Sequence, residues 1–244
     1  FAGEGRGYIP PDNFQQEPEK RPAVNTSPTN IGMAMAAAVS AAELGLITAD
    51  ELEKRLSGTM DTVDKMQKWH GHLYNWYRTD TLEVMRPRYV STVDSGNFCA
   101  CLITGSMALK KYGREDTAAR LERAARETDF SALYDAERKL FRIGYDGDAC
   151  ELSNSWYDLL ASEARLTSLI AVALGSVKPE HWFKLGRQMA PVLGGTLVSW
   201  SGTMFEYLMP VLFTGAVPDT LLYNSCLNAV KAQKRQRYGG VWGI

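Results

Sequence analysis

Residues 27–51 read SPTNIGMAMAAAVSAAELGLITADE, and this stretch holds the start, the end and the restart of a predicted helix. Ser27 is a favoured N-cap residue, and Pro28 fits the first helical position, where no backbone N–H is needed. An alanine-rich run follows, and Gly45 ends it. Thr48 and Glu51 then form a capping-box pattern, which opens a second helix to about residue 68. The stretch therefore predicts a helical hairpin.

The serine-led start recurs along the chain, at Ser27, Ser91, Ser155 and Ser199. Each start predicts an apolar helix, and more charged helices or loops lie between these starts. This alternation favours stacked helical hairpins, in which the apolar helices form the inner ring of a toroid. Their N-terminal ends would then point free backbone N–H groups at one shared cleft. An irregular helical bundle is the alternative, and both interpretations make the chain all-α.

The rest of the chain continues this pattern. Further helices are predicted at about residues 93–112, 114–128, 156–173, 202–213 and 219–237. Residues 69–88 are predicted to form an aromatic loop, and Phe141–Asp148 carries the one convincing hairpin signal. Residues 1–26 are rich in proline, glycine and charge, which predicts an extended arm before a helical domain at residues 27–244. Both ends look cut, so we expect a piece of a longer protein, truncated at its C-terminal end.

The charge and composition of the chain exclude several classes of protein. The net charge is −1, and the charged residues are spread along the sequence, whereas a nucleic-acid-binding surface needs a basic footprint. No stretch of 18 apolar residues occurs, so this segment is predicted not to span a membrane. His70, His72 and His181 form no metal-binding set, and no phosphate-binding glycine motif is present. We therefore expect neither a metal nor a cofactor.

Glu206 is the first candidate catalytic residue, because it is the only acidic or basic side chain between Gln188 and Pro218. An ionised carboxylate in apolar surroundings is costly unless it has a partner, and its pKa would otherwise be raised, as suits a general acid. Pro210, four residues on, cannot donate to the carbonyl of Glu206, so the helix should kink there. The alternative is a structural glutamate that caps a helix or pairs with an arginine.

Asp94 and Glu163 are the other two candidates. Asp94 is the only charge between Tyr89 and Leu109 and lies at a predicted helix start, where it could equally serve the helix dipole. Glu163 shares a predicted helix face with Leu159 and Leu166, an unusual place for a carboxylate. A structural role is the alternative for both residues.

Cleavage of a glycosidic bond needs two carboxyl groups flanking one bond, and the three candidate acids could supply them. Side chains that could stack on sugar rings or bind their hydroxyl groups lie in or near the same segments. These predicted substrate-binding residues are Trp76, Tyr77, Asn97, Trp156, Tyr157, Asp158, Trp200 and Tyr207. Packing in the core or at the rim is the alternative for each aromatic ring, and a structural role is the alternative for the aspartate.

Six motifs in order resemble one family, the glucoamylase-like domain of bacterial cyclic β-1,2-glucan synthases. The likeness covers essentially the whole chain. The motifs are Thr26–Gly32, Gly71–Tyr77, Pro87–Asn97, Tyr157–Arg165, His181–Arg187 and Ser199–Pro210.

The resemblance implies an (α/α)6 toroid, activity on β-1,2-glucan and a transglycosylation that closes the linear glucan into a ring. It implies a place between a membrane-embedded glycosyltransferase and a phosphorylase-like module, on the cytoplasmic face of the bacterial inner membrane. Stand-alone relatives hydrolyse β-1,2-glucan, so an endo-β-1,2-glucanase is an alternative, and a non-catalytic glucan-binding module is another. Asp94, Glu163 and Glu206 fall within matching motifs, with the roles of acid and nucleophile unassigned. The family continues past residue 244 with another glutamate-containing motif, so the resemblance implies an incomplete toroid here.

Overall fold

The computed structural model describes residues 3, 5, 7–236 and 239–243 and divides the chain into two compact units. Unit 1 comprises the described residues up to Leu133 together with Ile143–Asn154, and unit 2 comprises Tyr134–Arg142 and the described residues from Ser155 onward. Helices form the scaffold of both units, and the strands are only two or three residues long. No helix in the described ranges combines the length and apolar character that a membrane crossing requires.

The elements are numbered in chain order. The helices are α1 Pro28–Glu43, α2 Ala49–Val63, α3 Thr92–Lys111, α4 Glu115–Glu127, α5 Arg165–Ala173, α6 Glu180–Lys184, α7 Met204–Leu208, α8 Val211–Thr214 and α9 Leu221–Arg235. The strands are β1 Asn25–Thr26, β2 Lys68–Trp69, β3 His72–Leu73, β4 Tyr77–Arg78, β5 Tyr89–Ser91, β6 Tyr134–Asp135, β7 Leu140–Arg142, β8 Gly144–Asp146, β9 Glu151–Leu152, β10 Trp156–Tyr157, β11 Met189–Ala190 and β12 Thr196–Leu197. A short 3₁₀ helix, Phe130–Leu133, follows α4.

The first two serine-led starts are confirmed. The hydroxyl of Ser27 accepts from the backbone N–H of Asn30 at 3.1 Å, and that of Ser91 accepts from the N–H of Asp94 at 3.2 Å. Helices α1 and α3 pack along each other. Their first turns touch, because the Thr29 hydroxyl donates to the Asp94 carboxylate. The two N-terminal ends therefore lie side by side, as the inner-ring hypothesis requires of them.

The other two serine-led starts are wrong. Ser155 precedes strand β10 rather than a helix, and the predicted helix 156–173 is helical only in α5. Ser199 lies five residues before α7, whose N-cap is Thr203. The predicted helix 202–213 is split into α7 and α8 at Pro210, because proline lacks the N–H that would continue the ladder. The predicted last helix is observed as α9, and residue 237 lies outside the described residues.

The hairpin predicted at Phe141–Asp148 is also wrong, because its two strands belong to different sheets. Strand β7 pairs with β6 and β10 in unit 2, whereas β8 pairs with β5 and β9 in unit 1. The chain therefore leaves one unit and enters the other at Ile143. The predicted aromatic loop 69–88 contains β3 and β4, and β4 pairs with β1 in the described part of the N-terminal segment.

Each unit has its own apolar core. In unit 1, Leu52, Leu56 and Met60 of α2 are fully buried at helical spacing, and Leu102 and Leu109 of α3 are buried as well. In unit 2, the core cluster gathers side chains from the segment before α5, from the end of α6, and from β12, α7 and α9. Its buried members are Leu160, Ala161, Leu185, Leu197, Met204, Tyr207, Cys226 and Ala229.

Candidate functional site

Asp94 lies in the first turn of α3 and is half-buried. Its Oδ1 accepts a hydrogen bond from the Thr29 hydroxyl at 2.6 Å. Its Oδ2 accepts from the side-chain amide of Asn75 at 2.8 Å, in the amide orientation that satisfies both Asn75 and its neighbours. The carboxylate is thus fixed by residues from α1 and from the segment between β3 and β4, at the paired N-terminal ends of α1 and α3.

Two further side chains extend this arrangement. The indole N–H of Trp76 donates to the amide oxygen of Asn75 at 3.1 Å, and the amide of Asn97 donates to the Thr29 hydroxyl at 3.2 Å. Asn97 is buried, so it supports Thr29 from within rather than from the surface. We call Thr29, Asn75, Trp76, Asp94 and Asn97 the Asp94 cluster. It combines a carboxylate, two amides, a hydroxyl and an indole, which are groups that can bind sugar hydroxyls and sugar faces.

Tyr77, next to this cluster in sequence, has a different role. Its ring is fully buried, and its hydroxyl donates to the carbonyl of Gln67 at 2.5 Å and accepts from the N–H of Tyr74 at 2.8 Å. Burial raises the pKa of the Tyr77 phenol, so the side chain stays neutral. No face of the ring is open to a sugar, and its contacts are those of a core residue.

Glu206 lies in the first turn of α7, and its carboxylate organises the loop before that helix. Oε1 accepts from the N–H of Trp200 at 3.0 Å. Oε2 accepts from the N–H groups of Ser201 and Thr203 at 3.0 and 3.2 Å and from three hydroxyls. Thr203 and Glu206 form a complete capping box. The structural alternative proposed for this glutamate is therefore present in the fold.

The pKa of the Glu206 carboxyl is lowered, whereas a raised pKa was expected for a carboxylate in apolar surroundings. Burial raises the pKa of the carboxyl, but the hydrogen bonds from Ser201, Thr203 and Ser199 together outweigh it, and the pKa lies below its usual 4.5. Hydrogen bonds to the charged form favour that form. Glu206 is thus ionised at neutral pH, which is the state of a nucleophile, a base or a structural anion rather than of a general acid.

Glu163 and Asp158 lie in the irregular segment between β10 and α5. Glu163 is half-buried in the turn that leads into α5, so the helical face it was predicted to share with Leu159 does not form. Asp158 is exposed, and its backbone carbonyl accepts from the N–H of Gly186 at 2.6 Å.

The predicted sugar platforms of unit 2 differ in how open they are. Trp200 is exposed over 54% of its surface, although its backbone N–H is held by Glu206. Trp156 is half-buried, and the guanidinium of Arg138 lies 4.0 Å from its ring centroid, so one face of the ring is already occupied.

The two tyrosines are less accessible than Trp200. Tyr157 is half-buried in β10. Tyr207 is buried, and its hydroxyl donates to the carbonyl of Leu197 at 2.6 Å. Trp200 is therefore the predicted platform of unit 2 with the most open ring.

An apolar cavity of about 510 Å³ also lies in unit 2. Its wall includes Trp182, Leu208, Val211 and Val230, which extend the core cluster, and it also includes Arg165. No aspartate or glutamate lines it within the described residues, so the cavity supplies no carboxyl group for glycoside chemistry. Across those residues, no cluster of three or more histidine, cysteine, aspartate or glutamate side chains could hold a metal ion.

Sequence reasoning missed the residues that hold the candidate acids. Thr29 and Asn75 orient Asp94, and the loop serines and Thr203 orient Glu206. The signal for Thr29 and Asn75 was their position inside the motifs Thr26–Gly32 and Gly71–Tyr77, which carried the family resemblance. Nothing in the spacing of these motifs showed that they would meet at Asp94.

Comparisons with known proteins confirm the resemblance. A family model described as "Protein of unknown function (DUF3131)" matches residues 18–101. The whole chain aligns at 32% identity with the cyclic β-(1,2)-glucan synthase NdvB of Rhizobium meliloti, in an alignment 374 positions long that covers 13% of the length of that protein.

Solved structures establish the fold. A candidate glucoamylase from Bacteroides caccae has a TM-score of 0.80 at 16% identity, over 99% of this chain and 67% of its own. The endo-β-1,2-glucanase of Chitinophaga pinensis, in complex with sophorotriose and glucose, has a TM-score of 0.77 at 16% identity, over 95% and 61%. That of Talaromyces funiculosus, with sophorose, has a TM-score of 0.74 at 12% identity, over 96% and 57%. The chain thus has a glucoamylase-like helical fold and is similar over its full length to a segment of a cyclic β-1,2-glucan synthase.

Proposed function

We propose that this chain is a carbohydrate-active domain that acts on β-1,2-glucan, and that it closes linear glucan into a ring by transglycosylation. The observation that carries the proposal is the 32% identity to NdvB, which extends over the whole chain. The chain covers a small part of NdvB, so the ring-closing activity of the whole synthase is proposed for this segment rather than read from the likeness. The fold shared with two endo-β-1,2-glucanases supports the same substrate.

The candidate residues have the chemical groups that this reaction needs. Transglycosylation with retention needs a nucleophilic carboxylate and a second carboxyl group that acts in turn as acid and base. Asp94, Glu163 and Glu206 are the proposed carboxyl groups, and the ionised state of Glu206 favours it as the nucleophile or base among them. Trp76 and Trp200 are the proposed sugar platforms, because both rings are at least partly open to solvent.

Hydrolysis is the second candidate function. Two solved relatives of the same fold are endo-β-1,2-glucanases, and water in place of a sugar hydroxyl as acceptor converts a transglycosylase into a hydrolase. In the full protein, we propose that this domain works beside glycosyltransferase and phosphorylase-like domains on the cytoplasmic face of the inner membrane.

One incubation separates these proposals. The intact protein is mixed with linear β-1,2-glucan, and the products are examined by mass spectrometry. Ring closure by transglycosylation splits the linear glucan into a ring and a shorter linear glucan that leaves, and a ring is lighter by one water than a linear glucan with the same number of glucose units. Cyclic products support ring closure, and shorter linear products without any ring support hydrolysis. Binding measured by calorimetry without any new product would support a glucan-binding module. Equal binding of starch, or no binding of β-1,2-glucan, would contradict the proposed substrate.

A further inference from the structure

Arg165 is a buried cation whose guanidinium donates to three backbone carbonyls. It begins α5, and 4% of its surface is exposed. Nη1 donates to the carbonyl of Ser162 at 3.0 Å and to that of Glu206 at 2.6 Å, and Nη2 donates to the carbonyl of Tyr207 at 2.5 Å. Burial lowers the pKa of the guanidinium. Burying a charge is costly, so these contacts must offset a considerable desolvation penalty.

Two of the three carbonyls that Arg165 binds, those of Glu206 and Tyr207, lie at the C-terminal end of α7, next to its break from α8. Pro210 has no N–H to donate to the carbonyl of Glu206, and α7 ends at Leu208. The last carbonyls of a helix need partners when they are buried, and a cation at this end is favourable for the helix dipole. The Cys226 thiol also lies 3.1 Å from the carbonyl of Tyr207. Arg165 therefore acts as the C-terminal cap of α7.

The same guanidinium also joins two turns that carry candidate carboxylates. The carbonyl of Ser162 belongs to the peptide group that precedes Glu163, and the carbonyl of Glu206 belongs to the other candidate residue itself. One nitrogen of Arg165 donates to both. The planar guanidinium of Arg165 thus links the backbone next to Glu163 to the backbone of Glu206.

We propose that Arg165 is a positioning residue. It fixes the turn before α5 that contains Glu163 (the Glu163 turn) against the first turn of α7, which contains Glu206 (the Glu206 turn). This inference rests on the proposed function, because it matters for catalysis only if these turns carry reacting carboxyl groups. The separation of two carboxyl groups decides glycoside chemistry, with about 5–5.5 Å for retention and about 6.5–9.5 Å for inversion. A displacement of about 1 Å at such a site can cost roughly 100-fold in rate.

Lysine cannot replace arginine here. The guanidinium presents several N–H donors in a rigid plane, whereas the ammonium of lysine is a single point on a flexible stem. In Arg165→Lys the charge remains near the end of α7, but one nitrogen cannot reproduce the donors that Nη1 and Nη2 supply to three carbonyls. The substitution should therefore loosen the two turns while it keeps the charge.

Arg187→Lys is the matched control. Arg187 lies in the same unit, and its guanidinium also donates to backbone carbonyls, those of Trp182, Phe183 and Leu185. All three belong to the segment at and just after α6, so Arg187 closes its own turn and joins no second one. Its substitution removes an equivalent set of hydrogen bonds without touching the Glu163 or Glu206 turns.

The test uses two measurements on each variant. Hydrogen exchange of the amides of residues 203–208 reports on the α7 turn and needs no substrate. In Arg165→Lys this exchange should become at least about tenfold faster, whereas in Arg187→Lys it should match that of the wild type. In the intact protein, kcat on β-1,2-glucan should fall about 10- to 100-fold in Arg165→Lys at nearly unchanged KM, and Arg187→Lys should stay within about twofold of the wild type.

The outcomes separate the two proposals. A wild-type protein that does not process β-1,2-glucan refutes the proposed function, and hydrogen exchange then still decides whether Arg165 holds α7. If hydrogen exchange of residues 203–208 is as slow in Arg165→Lys as in the wild type, the positioning role is overturned, whatever the value of kcat. An unchanged kcat, or a kcat that falls only in proportion to the folded fraction, overturns it as well. The folded fraction of Arg165→Lys is checked by circular dichroism before either measurement.

Discussion

Glu206→Gln is the substitution that best tests what this carboxylate does. The side chain keeps its volume but loses its charge, and one of its two oxygens becomes an NH2 group. Oε2 has five donors around it and Oε1 has one, the N–H of Trp200. A glutamine will therefore place its oxygen at the Oε2 position and its NH2 at the Oε1 position. The N–H of Trp200 then faces a donor and loses its acceptor.

The expected loss of stability follows from this geometry. An unpaired backbone N–H in a partly buried site costs about 1–3 kcal/mol. The remaining hydrogen bonds lose the charge of their acceptor, and charge-assisted bonds are roughly twice as strong as neutral ones. Together these effects should lower the free energy of unfolding by about 2–4 kcal/mol. For a chain of this size, the melting temperature should fall by roughly 5–15 °C.

The assay is urea unfolding of the wild type and the variant, followed by circular dichroism, with turnover of β-1,2-glucan measured on the intact protein. Glu180→Gln is the control, because Glu180 also lies in the first turn of a helix, α6, but is exposed. It should change the free energy of unfolding by less than about 0.5 kcal/mol. If Glu206→Gln unfolds at the same urea concentration as the wild type, the capping role deduced from these hydrogen bonds is refuted. If turnover falls at least about 100-fold while the folded fraction is intact, Glu206 also takes part in the chemistry.

Three further predictions address other side chains. His72 is buried with its pKa lowered to about 4 by desolvation, so the unfolded chain binds a proton that the folded chain rejects between pH 6.5 and 4. The free energy of unfolding should therefore fall by up to about 3 kcal/mol as the pH drops through this window, and urea titrations should show a flatter profile in His72→Gln. Asp94→Asn should keep the fold but weaken turnover of β-1,2-glucan at least about tenfold, and wild-type turnover would remove Asp94 from the site. Trp200→Ala should weaken glucan binding in calorimetry at least about fivefold, whereas Trp156→Ala should chiefly lower the melting temperature, because Arg138 already covers its ring. The reverse pattern would show that Trp156 is the sugar platform.

The parts of the fold that could be predicted are those set by local chemistry. Ser27 and Ser91 cap α1 and α3 as expected, because an N-cap hydroxyl reaches a backbone N–H only three residues away. The break at Pro210 was predictable for the same reason, since it depends on one missing donor. The serine-led pattern failed at Ser155, where Trp156 and Tyr157 pair with β7 instead. Strand pairing depends on a distant partner, and a four-residue motif cannot contain that information.

The same contrast between local and long-range information applies to the candidate catalytic residues. The isolation of Asp94 and Glu206 in the sequence pointed to carboxylates in special surroundings, and both are indeed held by several donors. The protonation state of Glu206 could not be predicted from its isolation, because it depends on the donors that fold around this carboxylate. For Glu206 these donors are N–H groups and hydroxyls of residues 199–203 in an irregular loop, and among them only the Thr203–Glu206 capping box has a sequence signature. Burial alone predicted a raised pKa, and the loop reverses its sign.

A structural role and the proposed catalytic role of Glu206 are physically compatible. A carboxylate that receives several N–H and O–H donors is ionised and fixed in orientation, which is what a structural anion needs and also what a preorganised nucleophile or base needs. The same donors withdraw electron density from the oxygens and lower their reactivity, so a reacting carboxylate should keep at least one oxygen lightly bonded. Oε2 is crowded by five donors, whereas Oε1 receives only the N–H of Trp200. If Glu206 reacts, Oε1 is therefore the reacting oxygen, and the residue that supplies its hydrogen bond is also the most exposed predicted sugar platform in unit 2.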